Sequence, residues 1–495
     1  MLERTEEVAQ TVSTDDPSAK QPNSFERLAS SSTANFKGFR VSYLFIWALD
    51  LWQYLIVRRE VAGHDFVDVH VLYWTIAGVF CFCAMAFHLK RTSNSLSGQD
   101  RSHDFIAALA MVVGTVLLCI SFPFSNTATT IAGVSLSAVG GAYALLRWLQ
   151  FYSGLPIKTA MSYLIVAYVF YFAVLPFVNM MPQALSVALI ITLPVVSTYM
   201  LRQSIEHRPP CSSGSIYYTR ENIQGFWKIG LGIVLYSFLL GVRRGFALSK
   251  ADPAMDFLCF ALGILFLALL YWWIFGTEKA FDFPRLFQVL LIVLATGAML
   301  LPIFPSLSKE VISGFFSAAS SIILVLIFMA FVDLSNHSSY HPFVICGIGI
   351  GLYGIPRPLG ALSADYLKVF PSEQYAAMLA LLIAYLIIIC TAFLLSTRPA
   401  GLRPLFYDLT NHTADPNGFE TVDVRCQSLG ERHGLSQREI EVIQLICKGR
   451  DKAYIAETLF IAENTVRSYS KNAYRKLDVH SKRELLDLVE SEHAT

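Results

Sequence analysis

Charge is what this chain has least of: Asp, Glu, Lys and Arg make up 15% of its 495 residues, against 54% hydrophobic. Soluble domains carry roughly a quarter charged residues, so the deficit excludes an ordinary water-soluble fold and predicts a polytopic membrane protein. It is also local. Residues 41–397 hold 35 charged side chains, whereas the 62 residues 434–495 hold 20; a membrane body carries a soluble tail. The net charge of +1 averages over both and decides nothing about nucleic acid.

Other absences narrow the function. The nine cysteines are scattered, with Cys81, Cys83, Cys119, Cys259, Cys346 and Cys390 inside apolar runs, and no two pairs have zinc-ligand spacing. They read as small buried hydrophobes, and neither metal nor cofactor is expected. The chain has no Gly-x-x-x-x-Gly-Lys phosphate loop, no Gly-x-Ser-x-Gly elbow and no kinase-like soluble core, so it is not expected to be an enzyme. The first 35 residues are polar without an apolar core, which predicts a disordered cytoplasmic tail over 1–38 and no cleaved signal.

Apolar runs of roughly 20 residues, enough to cross a bilayer as a helix, begin near 39, 70, 104, 127, 156, 182, 226, 256, 284, 308, 341 and 373. The expected fold is all-α: a twelve-helix bundle over 39–397, a linker over 398–432 and a four-helix soluble unit over 433–495. The polar stretch Arg202–Gln224 splits the spans six plus six. Two such halves resemble the major facilitator transporters, in which the halves face a cavity at mid-membrane. With the amino terminus inside, fourteen Lys and Arg near span ends fall on the inner side, Arg147 among them, and eight on the outer side. That bias predicts a multi-pass protein of the cell membrane with both termini cytoplasmic. Gly347, Gly351 and Gly354 in span eleven, and Gly133, Gly140 and Gly141 in span four, mark faces of close helix approach.

The tail reads as chemistry. Ser436-Gln-Arg-Glu439 is a capping box opening a helix with Ile440, Val442, Ile443, Leu445 and Ile446 on its apolar side, closed by Gly449. A short helix with Ile455, Ala456 and Leu459 follows, then a longer one from Glu463 or Asn464 to Leu477, and Ser481-Lys-Arg-Glu484 caps a fourth. Helix, short helix, tight link and longer helix is the helix-turn-helix plan. The tail has ten basic and ten acidic residues, yet its third helix gathers Arg467, Lys471, Arg475 and Lys476 against one acid, Glu463. A basic helix in a neutral unit is the footprint of an approach to phosphates.

The string Leu435-Ser-Gln-Arg-Glu-Ile-Glu-Val-Ile-Gln-Leu-Ile-Cys-Lys-Gly449, with Ile455-Ala-Glu-Thr-Leu-Phe-Ile461, Asn464-Thr-Val-Arg467 and Lys476-Leu-Asp-Val-His-Ser-Lys-Arg-Glu-Leu485, closely resembles the LuxR/FixJ helix-turn-helix. The resemblance implies a third helix in the major groove of double-stranded DNA. It implies Thr465, Val466 and Arg467 against bases or adjacent phosphates, with Lys452, Asn464, Tyr469, Lys471, Arg475 and Lys476 around them. It also implies a homodimer paired through Leu485, Leu488 and Val489 of the fourth helix. Tyr469 stands where that family usually has histidine, and Ala453 where it usually has a basic residue. The whole plan, twelve spans and this tail, is similar to a group of membrane-bound transcriptional regulators from gut-dwelling anaerobic bacteria.

The facilitators' loop after span two, approximately Gly-x-x-x-Asp-Arg-x-Gly-Arg-Arg, is missing from His88–Arg101. With a regulatory tail attached, that absence favours a sensor over a transporter. Charges at membrane depth usually mark a cavity or a partner. Asp50 lies mid-span with Trp47 and Tyr54 at helical spacing; Tyr236 precedes Arg243 and Arg244, and Tyr353 precedes Arg357 by one turn. Together they predict a site for an anionic or aromatic small molecule; the competing reading is arginines snorkelling to lipid headgroups, one of them paired with Asp50. The sequence thus predicts a one-component membrane regulator. The alternatives are a facilitator-like transporter with a fused DNA-binding domain, and a regulator with a purely structural anchor.

Overall fold

In the computed structural model the described residues are chiefly 39–58, 69–89, 100–124, 126–208, 227–245, 253–276, 306–338, 340–367, 431–447 and 461–491, with isolated positions between. The chain forms two compact units, residues 1–410 and 411–495.

In the first unit, a short 3₁₀ turn at Val41–Leu44 leads into α1 (Ile46–Arg58). Then follow α2 (Val69–His88), α3 (Asp100–Phe124), α4 (Thr127–Tyr152), α5 (Ile157–Asn179) and α6 (Gln183–Glu206). After the expected division come α7 (Trp227–Gly245), α8 (Pro253–Gly276), α9 (Ser306–Asn336), α10 (Pro342–Gly354) and α11 (Pro356–Leu367). Among the described residues six helices are long and apolar enough to cross a membrane, and four shorter apolar helices accompany them. Expected span eleven is the pair α10 and α11, interrupted at Ile355 where Pro356 removes a backbone donor. Span nine is represented only by residues 286–287, 289–290 and 292, and span twelve, near 373, lies outside the described residues.

The surface of this unit reads as a lipid face: Phe105, Leu109, Phe177, Leu185 and Val195 are exposed large hydrophobics. Inside a bilayer such side chains need no cover, while helices satisfy the backbone internally. Packing is close where glycine permits. A Cβ on Gly140 would stand 2.7 Å from the Ala107 carbonyl, and one on Gly133 would stand 2.9 Å from that of Gly114, so α3 and α4 meet backbone to backbone. The two halves join along α2 against α10 and along α5 against α8 and α9.

Polar groups at one end of this bundle are paired. Arg147 in α4 donates from Nε to Asp104 Oδ1 at 2.8 Å and from its second terminal nitrogen to Oδ2 at 3.1 Å; Gln150 Oε1 accepts from the other terminal nitrogen at 2.6 Å. Asn336 at the end of α9 donates to the Leu155 carbonyl at 3.4 Å, and the His88 and His341 rings stack 4.8 Å apart. Arg147 is buried with its partner. It is therefore a packed ion pair rather than one of the headgroup charges that report orientation; Arg357, counted on the outer side, is likewise engaged inside the bundle by Tyr353 and Trp74, which leaves thirteen against seven.

The second unit has its own core of Cys426, Leu429, Ile440, Val442, Ile443, Ile455, Val466, Ala473, Leu477, Leu485 and Val489. Its helices are α12 (Gln437–Cys447), α13 (Glu463–Leu477) and α14 (Lys482–Ser491), with a short helical turn at Ile455 and Ala456 whose Ile455 carbonyl accepts from Leu459 N–H. The compact unit starts ahead of 433, because Cys426 and Leu429 belong to the core.

Candidate nucleic-acid interface and buried polar cluster

The soluble unit is assembled by reciprocal caps. Ser436 N–H donates to Glu439 Oε2 at 2.7 Å while Glu439 N–H reaches Ser436 Oγ at 3.4 Å. The second box repeats the device: His480 N–H donates to Glu484 Oε2 at 2.8 Å and Glu484 N–H to Ser481 Oγ at 3.2 Å. α13 ends with Asp478 in the left-handed region at φ 53°, its N–H donating to the Tyr474 carbonyl.

Helical spacing then sorts α13 into faces. Val466, Ser470, Ala473 and Leu477 are buried. Asn464, Arg467, Ser468, Lys471 and Arg475 are exposed along the opposite side, flanked by half-buried Thr465 and Tyr469. The cations Arg467, Lys471 and Arg475 recur at spacings of four on one stripe. Val466 is fully buried, which corrects the expectation that it faces bases: its side chain anchors the helix from below. Lys476 also differs. Its Nζ donates to Glu439 Oε2 at 2.8 Å and to the Gly434 carbonyl at 3.0 Å, so it ties the end of α13 to the start of α12.

Burial pushes the Glu439 carboxyl up, but the Lys476 ammonium and the Ser436 amide and hydroxyl outweigh it and hold it below the usual carboxylate range. Leu485 and Val489 lie in the core and Leu488 packs partly against it, so Leu485 and Val489 do not form a free pairing face. Burial is a tertiary outcome, and an amphipathic pattern alone does not say whether its apolar side meets its own domain or a partner. Lys452 lies outside the described residues.

In the membrane body, the structure brings part of the predicted ligand set together. Arg357 donates to the Tyr353 hydroxyl at 2.8 Å and sits 5.0 Å from the Trp74 ring centre. The Tyr353 ring lies 5.2 Å from Trp74 and 6.2 Å from Tyr236. Tyr236 turns its hydroxyl to the Ser320 carbonyl at 2.7 Å. The Asp50 carboxyl lies against the Tyr168 hydroxyl of α5 as its side-chain partner, and its Oδ2 oxygen is fully buried. Trp74 Nε1 and Arg357 Nε are buried without a partner, while the Tyr73 hydroxyl lies against Gln53.

Trp47 and Tyr54 are partly buried against the same core. The side chains of Arg58, Arg243 and Arg244 lie outside the described residues. Tyr73, Trp74 and Tyr168 were missed by sequence reasoning: each is an aromatic in an apolar run, and only the approach of α2, α5 and α11 makes its polar atom conspicuous.

Residues 433–489 match the profile of the bacterial regulatory proteins of the luxR family. The uncharacterized response regulatory protein YgeK of Escherichia coli (strain K12) is 36% identical over 72 residues, 14% of this chain and 49% of that protein. The oxygen regulatory protein NreC of Staphylococcus haemolyticus (strain JCSC1435) is 43% identical over 53 residues, 11% of this chain and 24% of that protein. The chain thus spans about half or less of the length of these relatives. The first unit shares its fold with the human organic anion transporter MFSD10 (TETRAN), at TM-score 0.52 and 14% identity, over 76% of this chain and 100% of that one. The chain therefore joins a LuxR-type helix-turn-helix domain at its carboxyl end to a membrane-spanning body of the major facilitator fold.

Proposed function

We propose that this protein is a one-component transcription regulator of the cell membrane, both termini cytoplasmic, whose body senses a small molecule and whose tail binds double-stranded DNA as a homodimer. The observation that carries the reading is the union of a LuxR-type domain and a membrane body in one chain. The exposed stripe of Asn464, Arg467, Lys471 and Arg475 supports groove contact, with Arg467 and half-buried Thr465 reaching base edges and Lys471 and Arg475 meeting phosphates. Lys476 and Val466 hold the helix in place beneath them.

The effector site is the cluster of Asp50, Tyr73, Trp74, Tyr168, Tyr353 and Arg357. Buried polar atoms without partners are costly and are usually satisfied by something. An anionic or aromatic organic molecule supplies acceptors for Trp74 and Arg357 and ring faces for the tyrosines. Lipid surrounds the body. The facilitator fold and the LuxR-type domain are not in themselves enzymes, and regulation needs no chemistry from either.

The test uses the full chain in lipid nanodiscs. A duplex is selected from a random library, and organic acids and phenols are then screened for a shift in its affinity. One or more should shift it, and Asp50→Asn or Tyr168→Phe should abolish the shift while leaving ligand-free DNA binding within about twofold, since a ligand acts only through differential affinity for two states. Failure to enrich any duplex sinks the regulator. Accumulation of the effector inside vesicles carrying the full chain would replace the sensor with a transporter.

A further inference from the structure

We infer that Cys426 and Cys447 form a redox pair, a thiol site in the soluble unit that a peroxide converts to a disulfide and that thereby alters the seat of the basic helix α13. Their Sγ atoms stand 4.0 Å apart although 21 positions separate them in sequence, so the fold, not the local chain, places them together. A disulfide needs about 2.05 Å between sulfurs, so closure asks for about 2 Å of approach.

The two thiols are not equivalent. Cys426 is wholly buried, whereas Cys447, the last residue of α12, is partly exposed. Cys447 is the sulfur that a small oxidant reaches first, and Cys426 stands behind it as the resolving thiol. Cys447 and Tyr474 of α13 both pack partly buried against the same core, and the Tyr474 carbonyl accepts the capping N–H of Asp478. Drawing Cys447 toward Cys426 therefore rearranges the core on which the helix bearing Arg467, Lys471 and Arg475 is seated.

The step balances. The Cys447 thiolate attacks one peroxide oxygen and breaks the O–O bond, giving a sulfenic acid and, after protonation, water. The Cys426 sulfur then attacks the Cys447 sulfur and displaces hydroxide, which leaves as water with the Cys426 proton. Two thiols are oxidised by two electrons and hydrogen peroxide is reduced to two waters; a dithiol reverses the reaction by exchange. In a reducing compartment such a disulfide is transient, the regime in which cysteine pairs act as sensors.

The DNA consequence rests on the proposed regulator, and the test separates the two. Full-length protein in nanodiscs is treated with hydrogen peroxide, digested without reduction and mapped by mass spectrometry. A linked peptide carrying Cys426 and Cys447, lighter by two hydrogens and lost on dithiol treatment, is expected, and Cys426→Ser and Cys447→Ser should each abolish it. Oxidation should change the affinity of the parent for its selected duplex by about fivefold or more, the range of ordinary coupling, while the double serine variant binds equally with and without peroxide. Stable sulfinic acid at Cys447 with no linkage would overturn the pair, and linkage with unchanged DNA affinity would overturn its regulatory role. Absence of DNA binding by the reduced parent would instead count against the regulator and leave the linkage result standing.

Discussion

Lys476 and Glu439 show how one contact decides a residue's role. By sequence Lys476 is one more cation of a basic helix, but its ammonium lies 2.8 Å from a carboxylate that is 5% exposed. Because Lys476 is itself exposed, solvent screens the pair and its loss costs about 1 kcal/mol, the low end for a charged hydrogen bond, and for a unit of this size 1 kcal/mol moves Tm by about 4–8 °C. Lys476→Met should therefore lower the Tm of the isolated 411–495 unit by several degrees, read by circular dichroism. A cation serving only phosphate would leave that Tm unchanged. The pH dependence follows in sign. The Glu439 carboxyl is held low in the folded state, so its stabilisation is complete above the ordinary carboxylate range and is lost as pH falls through its lowered value. Tm of the parent should consequently fall more steeply on acidification than Tm of Lys476→Met. A parallel acid decline in both proteins would remove this pair from the account.

At the scale of elements, helices and caps were legible and their partners were not. The Ser436–Glu439 and Ser481–Glu484 boxes announce two helix starts because a capping box is a local hydrogen-bond pattern. The glycines of span eleven announced close packing without naming the opposite helix. The structure supplies it: a Cβ on Gly347 would stand 2.8 Å from the Cys81 carbonyl, and one on Gly351 would stand 2.8 Å from the Phe82 ring. Both contacts lie on the α2–α10 seam between the halves. Gly347→Leu should part that seam, and the detergent-solubilised protein should lose its monodisperse chromatographic peak at a temperature several degrees below the parent, since overpacking costs about 1–3 kcal/mol. Ile348→Leu, one position on and exposed, should behave as the parent. Equal thermal tolerance of Gly347→Leu would mean that the seam opens without cost.

At the scale of the whole molecule, regulation through the tail requires that the helix-turn-helix share a compartment with DNA. A reporter fused after Thr495 should therefore read cytoplasmic, and one inserted at Lys250, between α7 and α8, should read the opposite side. A carboxyl terminus on the outer side would end the regulatory proposal for the intact protein. The basic-residue bias still points this way after Arg147 and Arg357 are withdrawn from it, because orientation depends on charges at the interface and not on those engaged inside the bundle.

What the sequence determined by itself was whatever is local or compositional. Runs of apolar residues specify membrane helices because a bilayer demands length and hydrophobicity alone. The spacing of some 55 residues in the tail specifies a LuxR-type domain because its turns, caps and core positions recur along the chain. Tertiary structure decided everything that depends on which side chains meet. It turned Val466, Leu485 and Val489 inward, committed Lys476 to Glu439 and matched Asp104 with Arg147. It set Arg357 against Trp74 and Tyr353, brought Asp50 to Tyr168, and left Trp74 Nε1 and Arg357 Nε buried without partners. The reason is physical: an aromatic or a charge in an apolar run looks the same whether it faces lipid, a neighbour or a ligand, and only the packing of distant helices decides which of these it faces.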